Sequence, residues 1–155
     1  MTHQELMQLA IRLSEENVRN GGGPFGAVIA RDGEVIATGV NRVTANNDPT
    51  AHAEVSAIRT ACRKVENFKL EGCVVYSSCE PCSMCLSALY WAGIEKIYFA
   101  NTKDDAKEID FDDSFIYEQL ALSRAERSIP SVQMMRDEAL HAFRLWRDKE
   151  DKTAY

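Results

Sequence analysis

The chain has 155 residues, 45% of them apolar and 27% charged, as expected for one soluble globular domain long enough to bury a core. Eighteen basic residues against 24 acidic ones leave a net charge of −6, which argues against a protein held to nucleic acid by phosphate contacts. No apolar run is long enough to cross a bilayer, so no membrane partner is expected. The five cysteines, an odd number, follow an N-terminus without a basic-then-apolar pattern and point to free thiols in the cytoplasm.

Residues 2–20 read as an amphipathic helix. Thr2 and Glu5 have capping-box spacing, and Leu6, Leu9, Ala10, Leu13 and Val18 fall roughly on one face before Gly21-Gly22-Gly23-Pro24 stops the run. Residues 27–31 and 34–40 read as a hairpin turned by Asp32-Gly33. A polar loop over 41–48 leads to Asp48-Pro49, which predicts a second helix starting at Pro49 and running to about 65. Residues 73–76 and 97–100 read as short buried strands on either side of a helix from about 81 to 93. Residues 103–113 form an acidic loop, and 115–122 and 136–149 read as helices. Residues 129–135 are taken as a fifth strand, confined to an edge by Pro130. The order hairpin, helix, strand, helix, strand predicts a three-layer α/β/α fold around a central mixed sheet of about five strands, in one domain over 1–155.

The chemistry lies at two predicted helix starts. His52-Ala53-Glu54 supplies an imidazole and a carboxylate, and Pro81-Cys82-Ser83-Met84-Cys85 supplies two thiols three residues apart on one face. First-turn side chains lean towards the helix N-terminus and can converge beyond it, where the helix dipole favours thiolates. Two thiolates and one neutral imidazole suit one Zn²⁺ and leave a fourth position open, the pattern of a catalytic site. Glu54 is then the candidate proton carrier. A closed structural site remains the alternative, because Cys79, Cys82 and Cys85 are all spaced to join His52. Cys62 and Cys73 read as small buried residues.

This order of His-x-Glu and Pro-Cys-x-x-Cys resembles the cytidine-deaminase-like zinc nucleobase deaminases. Over nearly the whole chain the sequence is similar to the small bacterial guanine deaminases, through Gly22-Gly23-Pro24-Phe25-Gly26-Ala27-Val28, Asn47-Asp48-Pro49-Thr50-Ala51-His52-Ala53-Glu54, Ser78-Cys79-Glu80-Pro81-Cys82-Ser83-Met84-Cys85 and, as the discriminating piece, Phe111-Asp112-Asp113-Ser114-Phe115-Ile116-Tyr117 with the Trp146 region and Tyr155. The resemblance implies hydrolysis of guanine to xanthine and ammonia, with water activated at zinc attacking the amine-bearing carbon. His52, Cys82 and Cys85 would hold one zinc per chain, and Glu54 would shuttle the proton. Asp113, with Asp112 as its rival, would be a second shuttle at the leaving amine. Asn41 would hydrogen-bond the purine, Phe25 would stack on it, and Trp91 and Tyr155 would help close the pocket. The resemblance also implies a homodimer in which a C-terminal segment, about 130–155, is exchanged between subunits. Two other functions fit the same motifs: deamination of another ring (guanosine, cytosine, an aminotriazine, a pterin or tRNA adenosine), and a non-catalytic zinc-stabilised scaffold.

Overall fold

The computed structural model describes residues 1–155, which divide into two compact units, Met1–Asp113 and Ser114–Tyr155. In the first unit α1 (His3–Arg19) starts at the expected capping box: the Thr2 hydroxyl accepts the Glu5 N–H, and the Glu5 carboxylate accepts the Thr2 N–H at 2.7 Å. β1 (Gly26–Arg31) and β2 (Glu34–Val40) form the hairpin, with Asp32 and Gly33 both at positive φ, as a twist-matched two-residue turn requires. A four-residue α2 (Val43–Asn46) occupies the polar loop. It is followed by α3 (Ala53–Val65), β3 (Cys73–Cys79), α4 (Ser83–Ala92), β4 (Lys96–Asn101) and α5 (Lys103–Glu108).

The sheet order is β2-β1-β3-β4, with β1 antiparallel to both neighbours and β3 parallel to β4. Alternation along β1 sends Ala27 and Ile29 to one face and Val28 and Ala30 to the other. Helix α1 covers the second face through Leu6 and Ala10, while α3 and α4 cover the first through Ala53, Ala57, Ala61 and Leu89. Burial of both faces explains why β1 and the start of β3 read as continuous apolar runs rather than alternating ones. The three layers are those expected.

The sheet has four strands, not five. Residues 129–135 form no ladder; all but one of them are exposed coil, and Pro130 has no N–H to donate. The second helix also begins later than Asp48-Pro49 suggested. Asp48 instead closes a turn, accepting the Thr50 N–H at 2.9 Å and the Thr50 hydroxyl at 2.6 Å, and α3 starts at Ala53 with His52 as its N-cap. The nominal acidic loop contains α5, started by a Thr102–Asp105 capping box.

Close packing fixes where α3 sits. A Cβ on Gly39 would lie 2.2 Å from the Ala53 carbonyl oxygen and 2.5 Å from the Ala57 nitrogen, both backbone atoms that cannot swing aside. Gly39→Ala is expected to destabilise the fold by about 1–3 kcal/mol, the usual cost of overpacking, and to weaken metal retention by pushing away the turn that carries His52 and Glu54. Urea unfolding and zinc content after dialysis check this; an unchanged midpoint with full zinc would show that the contact is slack.

The second unit contains α6 (Ser114–Ala121), a short 3-10 turn at Arg124–Glu126 and α7 (Arg136–Asp148). The Gln119 carbonyl and side chain accept from Arg127 Nε at 3.1 Å and Ser128 N–H at 2.7 Å, which ties the connection back onto α6. None of its residues is buried.

Candidate metal centre and active site

His52 and Cys82 occupy equivalent places, each the N-cap of a helix with extended backbone, and neither side chain caps its own helix. N-cap side chains ordinarily accept a backbone N–H. Here the imidazole and the thiol turn instead towards each other, and Cys85, one turn into α4, joins them. His52 Nδ1 lies 3.5 Å from both Cys82 Sγ and Cys85 Sγ. Zinc bound to sulfur at about 2.3 Å and to nitrogen at about 2.0–2.1 Å, with a tetrahedral angle between them, sets nitrogen and sulfur about 3.5 Å apart, so both nitrogen–sulfur separations match edges of a zinc tetrahedron. The donor set therefore fits zinc, with one ligand position left to solvent.

In the metal-free protein the three donors share protons among themselves: a hydrogen bond from the Cys85 thiol, reinforced by one from His52, pulls the Cys82 thiol down to about 4. Cys85, which donates to Cys82 and is buried, is pushed up in the metal-free protein. The Cys82 hydrogen bond raises His52 against the opposing effect of burial. Cys79 falls outside the cluster. Its thiol donates to the Thr102 carbonyl at 3.6 Å, and burial raises its pKa. The closed Cys₃His alternative thus lacks its fourth donor, because Cys79 Sγ does not join the His52, Cys82 and Cys85 group.

Glu54, two residues past the histidine, is 6% exposed and accepts a 2.7 Å hydrogen bond from the Ser77 hydroxyl. Ser77 comes from β3, and its neighbour Ser78 accepts the Gly26 N–H at 3.0 Å. The sequence reading missed Ser77. The available signal was a pair of serines at the end of an otherwise apolar strand, a place where a buried hydroxyl needs a partner.

The cluster opens into a cavity of about 450 Å³ lined by residues of the first unit, among them Phe25, Asn41, His52, Glu54, Cys82, Asp112 and Asp113. Phe25 meets Phe111 edge to face with centroids 5.0 Å apart. Asn41 uses Oδ1 to accept the Val43 N–H at 3.2 Å. Burial, as the main cause, raises the Asp113 carboxyl above its usual range, while the exposed Asp112 pairs with Lys107 at 3.9 Å. On the rim, Glu80 pairs with Lys103 at 3.6 Å. Trp91 is not on the cavity wall; it lies in the last turn of α4, 65% exposed, beside Ser87 and Tyr90. Tyr155 ends the second unit, also exposed.

Residues 1–101 match the model of the cytidine and deoxycytidylate deaminase zinc-binding region. Guanine deaminase of Bacillus subtilis (strain 168) is 48% identical, with the alignment covering 100% of both chains. A solved guanine deaminase from Bacillus subtilis superposes with a TM-score of 0.97, covering 100% of this chain and 99% of that one. Guanine deaminase from Nitrosomonas europaea is 31% identical with a TM-score of 0.67, over 72% of this chain and 65% of that one. The tRNA-specific adenosine deaminase of Aquifex aeolicus is 41% identical over 64% of this chain and 66% of its own. The His52, Cys82 and Cys85 group lies within the matched residues, and the chain belongs to the zinc-binding cytidine and deoxycytidylate deaminase family.

Proposed function

We propose that the protein is a zinc-dependent aminohydrolase that converts guanine and water to xanthine and ammonia. The observation that carries this reading is Glu54, a buried carboxylate beside a three-donor metal cluster yet outside it, at the floor of a cavity of about 450 Å³. Zinc bound by His52, Cys82 and Cys85 supplies Lewis acidity that makes water acidic near neutral pH. Ser77 fixes one oxygen of Glu54, leaving the carboxylate to take a proton from attacking water and deliver it to the ring nitrogen. Phe25 stacks on the base. Asn41, with Oδ1 engaged by Val43, offers its Nδ2 hydrogens to the acceptors on the O6 and N7 edge of guanine. Asp113 protonates the leaving amine. Its partial burial and raised carboxyl support that role over Asp112, which is engaged with Lys107.

The full-length similarity to guanine deaminase supports this substrate over the ring substrates of other family members. A cavity wall with Glu80, Asp110, Asp112 and Asp113 against the single cation Lys103 suits a neutral free base better than a phosphate backbone. The active form is a homodimer in the cytoplasm, with the C-terminal segment of about 130–155 exchanged so that Tyr155 closes the partner's pocket; Trp91, off the cavity wall, takes no part in that closure. Exposure of Ile129, Val132, Phe143 and Leu145 in a unit without buried residues supports that arrangement, as an apolar surface of this kind needs a cover. No helix is long and apolar enough to cross a membrane.

A panel of guanine, guanosine, adenine, cytosine, cytidine and a tRNA anticodon stem-loop, read as ammonia release, tests the substrate. Ammonia from guanine alone, with xanthine formed in equal amount, is expected. Release from another member instead would reassign the pocket, and silence in fully zinc-loaded protein would overturn the activity.

A further inference from the structure

Four polar side chains are buried in the chain: Asn17, Glu54, Ser77 and Ser78. The last three belong to the catalytic floor and the strand behind it. Asn17 stands apart, in the last turn of α1, outside the substrate cavity. A buried primary amide needs partners, and Asn17 has two: Nδ2 donates to the Gly23 carbonyl at 2.8 Å and to the Asn41 carbonyl at 2.9 Å. The acceptors are 6 and 24 residues away along the chain, and both belong to residues of the cavity wall.

The glycines around it have the matching shape. A Cβ on Gly22 would fall 2.5 Å from Asn17 Nδ2, so this position must be bare for the amide to enter. A Cβ on Gly23 would fall 3.2 Å from Asn41 Cγ, so the glycine backbone lies directly against the recognition side chain. Asn41 is therefore set from three sides: Val43 N–H on Oδ1, Gly23 against its amide, and Asn17 on its own carbonyl. Helix α1 is itself fixed to the sheet by Leu6 and Ala10, so the amide of Asn17 is a rigid reference for the wall.

We propose that Asn17 is a positioning residue for base recognition, setting the spacing between Gly23 and Asn41 and through it the reach of the Asn41 amide into the pocket. The inference rests on the guanine reading given above. Because Asn41 addresses a part of the base that does not react, loss of its aim weakens ground state and transition state alike, which raises KM and spares kcat.

The test is a double-mutant cycle of Asn17→Ala and Asn41→Ala, measured as KM and kcat for guanine on zinc-loaded protein, with Gly22→Ala as an independent way of displacing the Asn17 amide. Asn17→Ala and Gly22→Ala are each expected to raise KM roughly tenfold, the scale of losing one or two hydrogen bonds, with kcat changed less than about threefold. Asn17→Asp, the same shape without donors, is expected to do no better than alanine. On top of Asn41→Ala, the Asn17→Ala change is expected to add almost nothing to KM, because it acts through Asn41. Equal and multiplicative effects in both backgrounds, or a fall in kcat at constant KM, would overturn the assignment and leave Asn17 a structural residue. A wild-type protein silent on guanine would overturn the parent reading and this inference with it, an outcome separate from a wild type that turns over while the cycle is additive.

Discussion

Glu54→Gln is expected to give a folded, zinc-bound protein whose turnover falls at least 10²–10⁴-fold, the usual contribution of a positioned acid–base group. The amide has the size of the carboxylate, and its oxygen can still accept the Ser77 hydroxyl that Glu54 Oε1 accepts at 2.7 Å, so the buried site keeps its packing. The loss is confined to proton exchange, since an amide at neutral pH neither takes a proton from water nor returns one. Because Glu54 lies outside the three-donor cluster, the variant should bind zinc with the stoichiometry of the parent. Metal analysis and single-turnover kinetics on the same sample separate the cases. Full activity would remove Glu54 from the chemistry, and loss of zinc together with activity would make it a support of the metal. A protein that used zinc only to hold its fold would show neither effect.

Asp113→Asn is expected to lower turnover by about 10²–10⁴-fold with zinc content unchanged, because the neutral amide cannot protonate a leaving amine. Stability should move the other way. Burial raises the Asp113 carboxyl above its usual value of 3.8, so the folded chain binds that proton more tightly than the unfolded chain does. Stability from this group is fully present below the unfolded value, is lost as pH rises through the folded value, and stays lost at neutral pH. Asparagine never ionises, so metal-free Asp113→Asn should melt no lower than metal-free wild type at pH 7. A lower melting midpoint would show that the Asp113 carboxylate stabilises the fold, and a larger kinetic loss in Asp112→Asn would move the shuttle to its neighbour.

The elements that carry the metal were legible because each rested on a strong local rule. The capping box of Thr2 and Glu5, the Asp32-Gly33 turn and the two buried runs of β1 and β3 appear where the sequence places them, within a residue or two except at the C-terminal end of β3. The spacing of Cys82 and Cys85 was enough to set both thiols at one helix start. What failed was competition between local signals. Asp48-Pro49 has the composition of a helix start, but Asp48 is satisfied by Thr50, and the true N-cap is the metal ligand His52, a residue no capping preference would choose. Residues 129–135 have β-branched and apolar side chains, but strand character depends on a ladder and a buried face, and the second unit provides neither. Ser77 and Asn17 were missed for a different reason. Asn17 sits among Glu15, Glu16, Arg19 and Asn20 and reads as one more solvated polar residue, Ser77 carries only the weak signal of a serine pair, and the importance of each comes from a partner 23 or 24 residues away.

X-ray absorption at the zinc edge of the protein as isolated tests the open metal centre most directly. Two sulfurs, one imidazole nitrogen and one exchangeable light-atom ligand per zinc are expected, since His52, Cys82 and Cys85 converge while the Cys79 thiol turns to the Thr102 carbonyl. A third sulfur, or four protein ligands with no exchangeable position, would close the site and contradict a hydrolytic centre.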